Sequence, residues 1–196
     1  MLDLNEFAKE VHAVAVAHGW WDGEENNDID TKIALIHAEW SEALEEYRAG
    51  RPMVWHACLE CGDVCEGESC GEWADGGCEL DEMAKKPEGI AVELVDGCIR
   101  ILDLMAAREL DVKATVYSDR KRSTLPQLVA HLHNLTAKGG CYIDDWDVEK
   151  AAVMLMACIR NVKDWLDVRG VDFEELMRIK HEFNKTRSYR HGGKRC

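Results

Sequence analysis

The sequence is poor in three things, and each scarcity narrows what the chain is. Proline occurs three times in 196 residues, at Pro52, Pro87 and Pro126. Proline interrupts helix interiors, and all three stand at the edges of periodic segments, so the stretches between them are free to form long helices. No run approaches the roughly 18 uncharged apolar residues of a spanning helix, although 46% of the residues are apolar. Positive charge is also scarce: 24 Lys and Arg stand against 38 Asp and Glu, a formal net charge of -14. Phosphate neutralisation needs a basic surface, so no nucleic-acid partner is expected, and no membrane partner either. The start, Met1-Leu2-Asp3-Leu4-Asn5-Glu6, is acidic where a secretory leader is basic. A soluble, cytoplasmic protein is therefore expected, in which the nine Cys serve as thiols or metal ligands rather than disulfides. The length suits one sizeable domain or two small ones, taking about 150 residues per domain.

What is present is helical periodicity. Leu4, Phe7, Ala8, Val11, Val14, Ala15 and His18 recur at three-and-four spacing, predicting a first helix that stops near Gly19. A second is expected after the turn-like 23–28 and up to Arg48 or Ala49, before Gly50. A third runs from about Glu88 to Leu110, with Ile90, Leu94, Ile101, Leu102 and Met105 on its apolar side. Leu125, Leu128, Val129, Leu132 and Leu135 place a short fourth helix with Pro126 near its start, ended by Gly139-Gly140. A fifth covers about Asp147 to Val168, and a sixth starts at Asp172, with Glu175 three residues on as in a capping box. No segment alternates apolar and polar residues as a half-buried strand does. The expected class is all-α, an antiparallel helical bundle.

Two segments stand apart in composition. Residues 51–87 hold five of the nine Cys together with five Gly, as an insertion between the second and third helices. Cys58-x-x-Cys61 has the spacing of a metal knuckle, and Cys65, Cys70, Cys78 or His56 would complete a tetrahedral structural Zn²⁺ site. A thiol-rich loop without metal and a redox pair are the alternatives. Cys98 and Cys158 fall on apolar helix faces, as small core residues do. The second segment, residues 178–196, carries seven Lys and Arg and one Glu, a local charge of +6, so the remaining 177 residues carry -20. Charge is sorted, with a basic end on an acidic body.

The main chemical signal is a pair of matched acidic spacings. Glu39 and Glu42 lie three apart on the second helix, and Glu93 and Asp96 three apart on the third. Three residues is close to one turn, so each pair projects from one face. If the helices pack antiparallel, four carboxylates converge, and divalent cations relieve the repulsion. Oxygen-only ligands favour Mg²⁺ or Mn²⁺ over Zn²⁺. Arg100 and Asp103 continue one stripe and Glu46 the other. A solvated acidic surface is the plain alternative for such pairs. A di-iron site is not expected, because no Glu is followed three residues later by His.

These residues carry a family resemblance. Gly19-Trp20-Trp21-Asp22, the run from Lys32 through Glu39 and Glu42 to Arg48, Lys86 through Glu93 to Asp96, and Asn184-Lys185-Thr186-Arg187 through Arg190 to Lys194 resemble the all-α nucleoside triphosphate pyrophosphohydrolases of the MazG-like group. The likeness covers 1–50, 86–112 and about 170–194. It implies Mg²⁺-dependent cleavage between the α and β phosphates of a nucleoside triphosphate, giving the monophosphate and pyrophosphate, with Glu39, Glu42, Glu93 and Asp96 as metal ligands. The chain departs from the family where Ala38 replaces a frequent Glu and where the Cys-rich insertion lengthens the gap between acidic motifs. A surface loop lengthens at small entropic cost, so the crevice is expected to survive.

The chemistry is coherent on its own terms. Clustered divalent ions neutralise a triphosphate and activate water near pH 7. Arg100, Lys185, Arg187 and Arg190, with Asn184 from the resemblance, are candidate phosphate contacts, the tail ones if it folds back rather than frays. Trp20 and Trp21 either stack a base or plug a core edge. Residues 1–112 are then expected as a catalytic half and 113–196 as a degenerate one within one unit. At an offset of 61, Ala91, Val92, Leu94 and Asp103 match Ala152, Val153, Leu155 and Asp164, while Met154 and Ala157 replace Glu93 and Asp96. The 124–138 segment, which would answer the acidic helix, has no Asp or Glu. A silent half would supply helices that a second subunit provides in simpler relatives; a homodimer also remains open. The competing class is a non-catalytic nucleotide-binding or regulatory bundle.

Overall fold

Each long helix but one begins with a side chain that accepts from the first free backbone N–H groups, the usual remedy for unpaired donors at a helix start. The structure, a computed structural model, describes residues 2–58, 85–114 and 123–190. Asp3 caps α1 (Leu4–Ala17), Asp28 caps α3 (Ile29–Arg48), Thr124 caps α5 (Leu125–Asp144), Asp147 caps α6 (Val148–Asp167) and Asp172 caps α7 (Phe173–Lys185). The exception is α4 (Ile90–Ala107), which starts at Gly89 with no side-chain cap. A single turn, α2 (Glu24–Asn27), precedes α3. The class is all-α, and no helix among the described residues is long and apolar enough to cross a membrane.

The helices α3 and α4 are joined by a feature the periodicity does not reveal. Strand β1 (Trp55–Cys58) pairs antiparallel with β2 (Lys85–Glu88), Trp55 opposite Glu88 and His56 opposite Pro87. Each strand has four residues, too few for alternation to show, and a two-stranded ribbon leaves an outer edge where proline's missing N–H costs nothing. Of the proposed zinc ligands, Cys61, Cys65, Cys70 and Cys78 lie outside the described residues, and Cys58 is placed by its backbone in β1.

The central element is α4, buried at nearly every position from Ile90 to Met105 and packed against α1, α3, α6 and α7. Two hairpin pairs, α3 with α4 and α5 with α6, lie against each other, α3 on α5 and α4 on α6. The contacts between the pairs repeat at fixed offsets. Across α3 and α5, His37 Nδ1 lies 2.6 Å from His133 Nδ1, and Trp40 Nε1 donates to Thr136 Oγ1 at 2.9 Å, both pairs 96 residues apart. Within the first pair Trp40 covers Gly97; within the second, Thr136 Oγ1 lies 3.6 Å from Cys158 Sγ. Thr136 follows Trp40 by 96 positions and Cys158 follows Gly97 by 61. A large residue on a small one in one pair thus corresponds to two medium residues in the other. Burial pushes the thiols of Cys158 and Cys98 up, Cys158 to about 12, as inert core cysteines require.

One expected boundary is corrected. Gly139-Gly140 does not end the fourth long helix, because α5 continues through them to Asp144. Their role is close approach: a Cβ on Gly139 would stand 2.8 Å from Leu155 Cδ2, and one on Gly140 3.0 Å from Ile33 Cγ1. Lacking side chains, they let α6 and α3 pack against α5, which outweighs glycine's low helix propensity of about 1 kcal/mol.

A third helical glycine, Gly97 of α4, makes a still closer approach. A Cβ at Gly97 would enter the indole of Trp40, which is fully buried and anchored by its bond to Thr136. Gly97→Ala is expected to lower the free energy of unfolding in urea by about 1–3 kcal/mol, as overpacking does, despite alanine's better helix propensity. A stabilised variant would contradict this packing.

Candidate functional site: a carboxylate cluster beside a cleft

The helices α3 and α4 bring three carboxylates together. One oxygen each of Glu39, Glu42 and Glu93 lies within 4.8 Å of the others. Glu39 and Glu93 are both 4% exposed, whereas Glu42 is exposed and opens the group to solvent. The spacing of three puts each acidic pair on one face of its helix: Glu39 and Glu42 straddle the edge of the face that α3 buries, whereas Glu93 and Asp96 are both buried on α4.

The fourth carboxylate is committed elsewhere. Asp96, also buried, lies with Oδ2 3.2 Å from Lys180 Nζ and accepts at Oδ1 from Asn184 Nδ2 at 3.3 Å, both from α7. Arg100, one turn after Asp96 on α4, donates from Nε to Glu39 Oε1 at 2.5 Å. The site therefore holds four carboxylates and two internal cations, Arg100 and Lys180. Lys180 has no counterpart among the sequence-level candidates. It is 1% exposed and sits in the stripe Phe173, Leu176, Met177, Lys180, His181 on the inward face of α7. That three-and-four register is the signal that places it inside.

Burial sets the charge states. It pushes the Glu93 carboxyl up to about 9, against the pull of Lys180, with a hydrogen bond that the protonated Glu93 donates to Glu88 and the charges of Asp96 and Glu39 adding to the rise. Burial likewise raises Glu39, although Arg100 opposes it. Burial alone would raise Asp96 too, but Lys180 and Arg100 outweigh it and hold that carboxyl below its usual range. Like charges about 4.8 Å apart repel by roughly 3–4 kcal/mol at an effective dielectric of 20, so a proton on Glu93 is the local remedy when no cation is bound.

The donors fit a hard divalent ion. Oxygens bound at about 2.1 Å to one octahedral ion lie about 3.0 Å apart when cis and about 4.2 Å when trans, so the three carboxylates, with oxygens within 4.8 Å of one another, would draw together by side-chain movement to share one ion. The exposed ligand leaves room for the waters Mg²⁺ retains.

A cleft abuts the cluster at Asp96 and Arg100. Val11, Val14, Leu35 and Ile99 supply apolar wall, and Trp20, Lys32, Asp103, Asn184 and Arg187 also line it. Trp20 and Trp21 thus separate in role. Trp20 lines the cleft, whereas Trp21 packs on the core and donates to Asp103 Oδ1 at 2.9 Å, beside His12 Nδ1 at 2.7 Å from the same oxygen. The tail folds back, onto the end of α1: Arg190 Nε donates to Gly19 O at 3.1 Å, and Tyr189 Oη to Asp22 Oδ2 at 2.7 Å. Lys185 pairs with Glu10 at 2.5 Å and Glu182 at 2.6 Å, away from the carboxylate group. Of the tail candidates, Asn184 and Arg187 reach the cleft, and Lys185 and Arg190 do not line it. Residues 191–196, with Lys194, lie outside the described residues.

Protein-family models, curated proteins and solved structures contain no match to this chain.

The raised Glu93 makes a signed prediction. A carboxyl that holds its proton more tightly when folded stabilises the fold fully below the unfolded value near 4.5, and loses that contribution as pH rises through about 9. In EDTA, the melting temperature of the chain is expected to fall across that window and to fall less in Glu93→Gln. Identical slopes for the two proteins, measured by thermal unfolding at pH 5 to 9, would contradict the assignment.

Proposed function

We propose that the chain is a Mg²⁺-dependent nucleotide pyrophosphohydrolase that cleaves a nucleoside or deoxynucleoside triphosphate to the monophosphate and pyrophosphate. The observation that carries this is the convergence of Glu39, Glu42 and Glu93 oxygens within 4.8 Å, next to a cleft with one aromatic wall and two arginines. Glu39, Glu42 and Glu93 hold the ion, with Asp96 as a fourth ligand in the substrate complex; Mn²⁺ has the same donor preference. When bound, the ion supplies charge neutralisation and an activated water near neutral pH.

The chain's own groups do the rest. Trp20 and the apolar wall of Val11, Leu35 and Ile99 receive the nucleoside, and Arg100 and Arg187 lie at the cleft edge where a triphosphate would run toward the cluster. Both guanidiniums remain charged at any working pH, so they offset charge that develops on the leaving pyrophosphate. Positioning and electrostatics suffice for in-line attack. The MazG-like likeness of the acidic words and of the Asn184–Lys194 segment supports the same reading.

The α3–α5 contacts at an offset of 96 and the α4–α6 sequence matches at an offset of 61 favour a bundle built from a degenerate internal duplication, in which α5 and α6 answer α3 and α4. Leu135, Met154 and Ala157 then stand where Glu39, Glu93 and Asp96 stand, so one site per chain is expected and the second half serves as scaffold. A structural zinc held by the Cys-rich insertion is proposed as well, checked by metal analysis of protein purified without added zinc.

The test is a panel of ribo- and deoxynucleoside triphosphates with Mg²⁺, scored for monophosphate with pyrophosphate. Glu39→Gln is expected to reduce pyrophosphate release about 10²- to 10³-fold, the order lost when a principal electrostatic group is removed, while circular dichroism stays that of the parent. Binding of a nucleotide with no turnover across the panel would favour a non-catalytic nucleotide-binding bundle instead.

A further inference from the structure

Lys180 is unusual in being a fully buried ammonium inside a site built for a cation. It is 1% exposed, and its Nζ is 3.2 Å from Asp96 Oδ2. Asn184 Nδ2, one turn further along α7, takes the other oxygen of the same carboxylate at 3.3 Å. Both oxygens of Asp96 are therefore held by α7, and the carboxylates that converge on one point are Glu39, Glu42 and Glu93 without it. Glu39 is in turn bridged to Arg100. Counting the four acids and two internal cations as ionised leaves a charge of -2, which one divalent ion cancels.

We propose that Lys180 is a positioning residue that withholds Asp96 from the metal-binding set until a polyphosphate engages the ammonium. This inference rests on the pyrophosphohydrolase reading of the cluster. Its physical basis is competition: an ammonium bonded to Asp96 and attracted by Glu93 and Glu39 occupies part of the negative potential that a divalent ion would use. Asp96 and Asn184 line the cleft although Lys180 itself does not; a phosphate oxygen that enters beside them offers Lys180 an alternative anion, and Asp96 is then released as a fourth oxygen ligand. Nucleotide and metal ion thus favour each other's binding, a reciprocal coupling between two ligands. The ion-binding site is weak alone and complete only with substrate.

The experiment is titration of the full chain with Mn²⁺, followed by the loss of the free-ion paramagnetic resonance signal, with and without an α,β-methylene nucleoside triphosphate, the loss caused by the analogue alone at the same concentration being subtracted. The parent is expected to bind Mn²⁺ at least about tenfold more tightly with the analogue than without it. Lys180→Met, which frees Asp96 Oδ2, is expected to bind Mn²⁺ alone about tenfold more tightly than the parent and to gain little from the analogue. Lys180→Arg, which keeps the charge, is expected to resemble the parent. Lys180→Gln keeps a donor to Asp96 without the charge, and it should shift in the same direction as Met, so the test stands if the Met variant fails to fold. Parent-like or weaker Mn²⁺ binding by the neutral variants would overturn the role of Lys180 while leaving the site intact. A parent that binds no Mn²⁺ in either condition would overturn the site reading itself and this inference with it.

Discussion

Three carboxyl groups taken out of water on one helix pair are the constraint from which much of this molecule follows. Glu39, Glu93 and Asp96 are all buried between α3, α4 and α7, and Glu42 stands at their solvent edge. Uncompensated ionised groups in such surroundings cost several kcal/mol each. The chain answers with Arg100 on Glu39, Lys180 and Asn184 on Asp96, and a proton held on Glu93. Each answer recruits an element: α4 is drawn to α3 through Arg100, and α7 to α4 through Lys180. The central position of α4 is thus electrostatic as well as apolar, and the cleft opens where those helices meet α1.

That arrangement is poised rather than settled. A cluster stabilised only by its internal cations and one proton retains negative charge that a divalent ion would neutralise, and such an ion would displace the proton from Glu93. Under the proposed function the acidic body of the chain and the arginines that line the cleft would be parts of one scheme, in which an anion is bound through a metal rather than by a basic surface. The net charge of -14 is compatible with a polyanionic substrate for that reason.

Much of this was legible in the residues. The three-and-four spacing of apolar side chains located the long helices, and the paired acidic spacings located Glu39, Glu42 and Glu93 on one crevice, because helix geometry leaves little choice once the faces are known. Other features resist that kind of inspection. Gly139-Gly140 reads as a stop because glycine usually ends helices, and only the proximity of Leu155 and Ile33 shows that bare backbone was needed for packing. The four-residue strands are too short to alternate. Lys180 reads as solvent-facing by type, although its register with Phe173, Leu176 and Met177 turns it inward. The tail illustrates a third limit: charge counts assign Lys185 and Arg190 to phosphate, but long side chains choose local partners, here Glu10, Glu182 and the carbonyls around Gly19.

The central claim is that Glu39, Glu42 and Glu93 jointly ligate a divalent ion. Anomalous diffraction from crystals grown with Mn²⁺ tests it most directly. The account predicts a peak about 2.0–2.2 Å from one oxygen of each of the three carboxylates, lost in Glu39→Gln. A peak elsewhere on the chain, or none at saturating Mn²⁺, would contradict it.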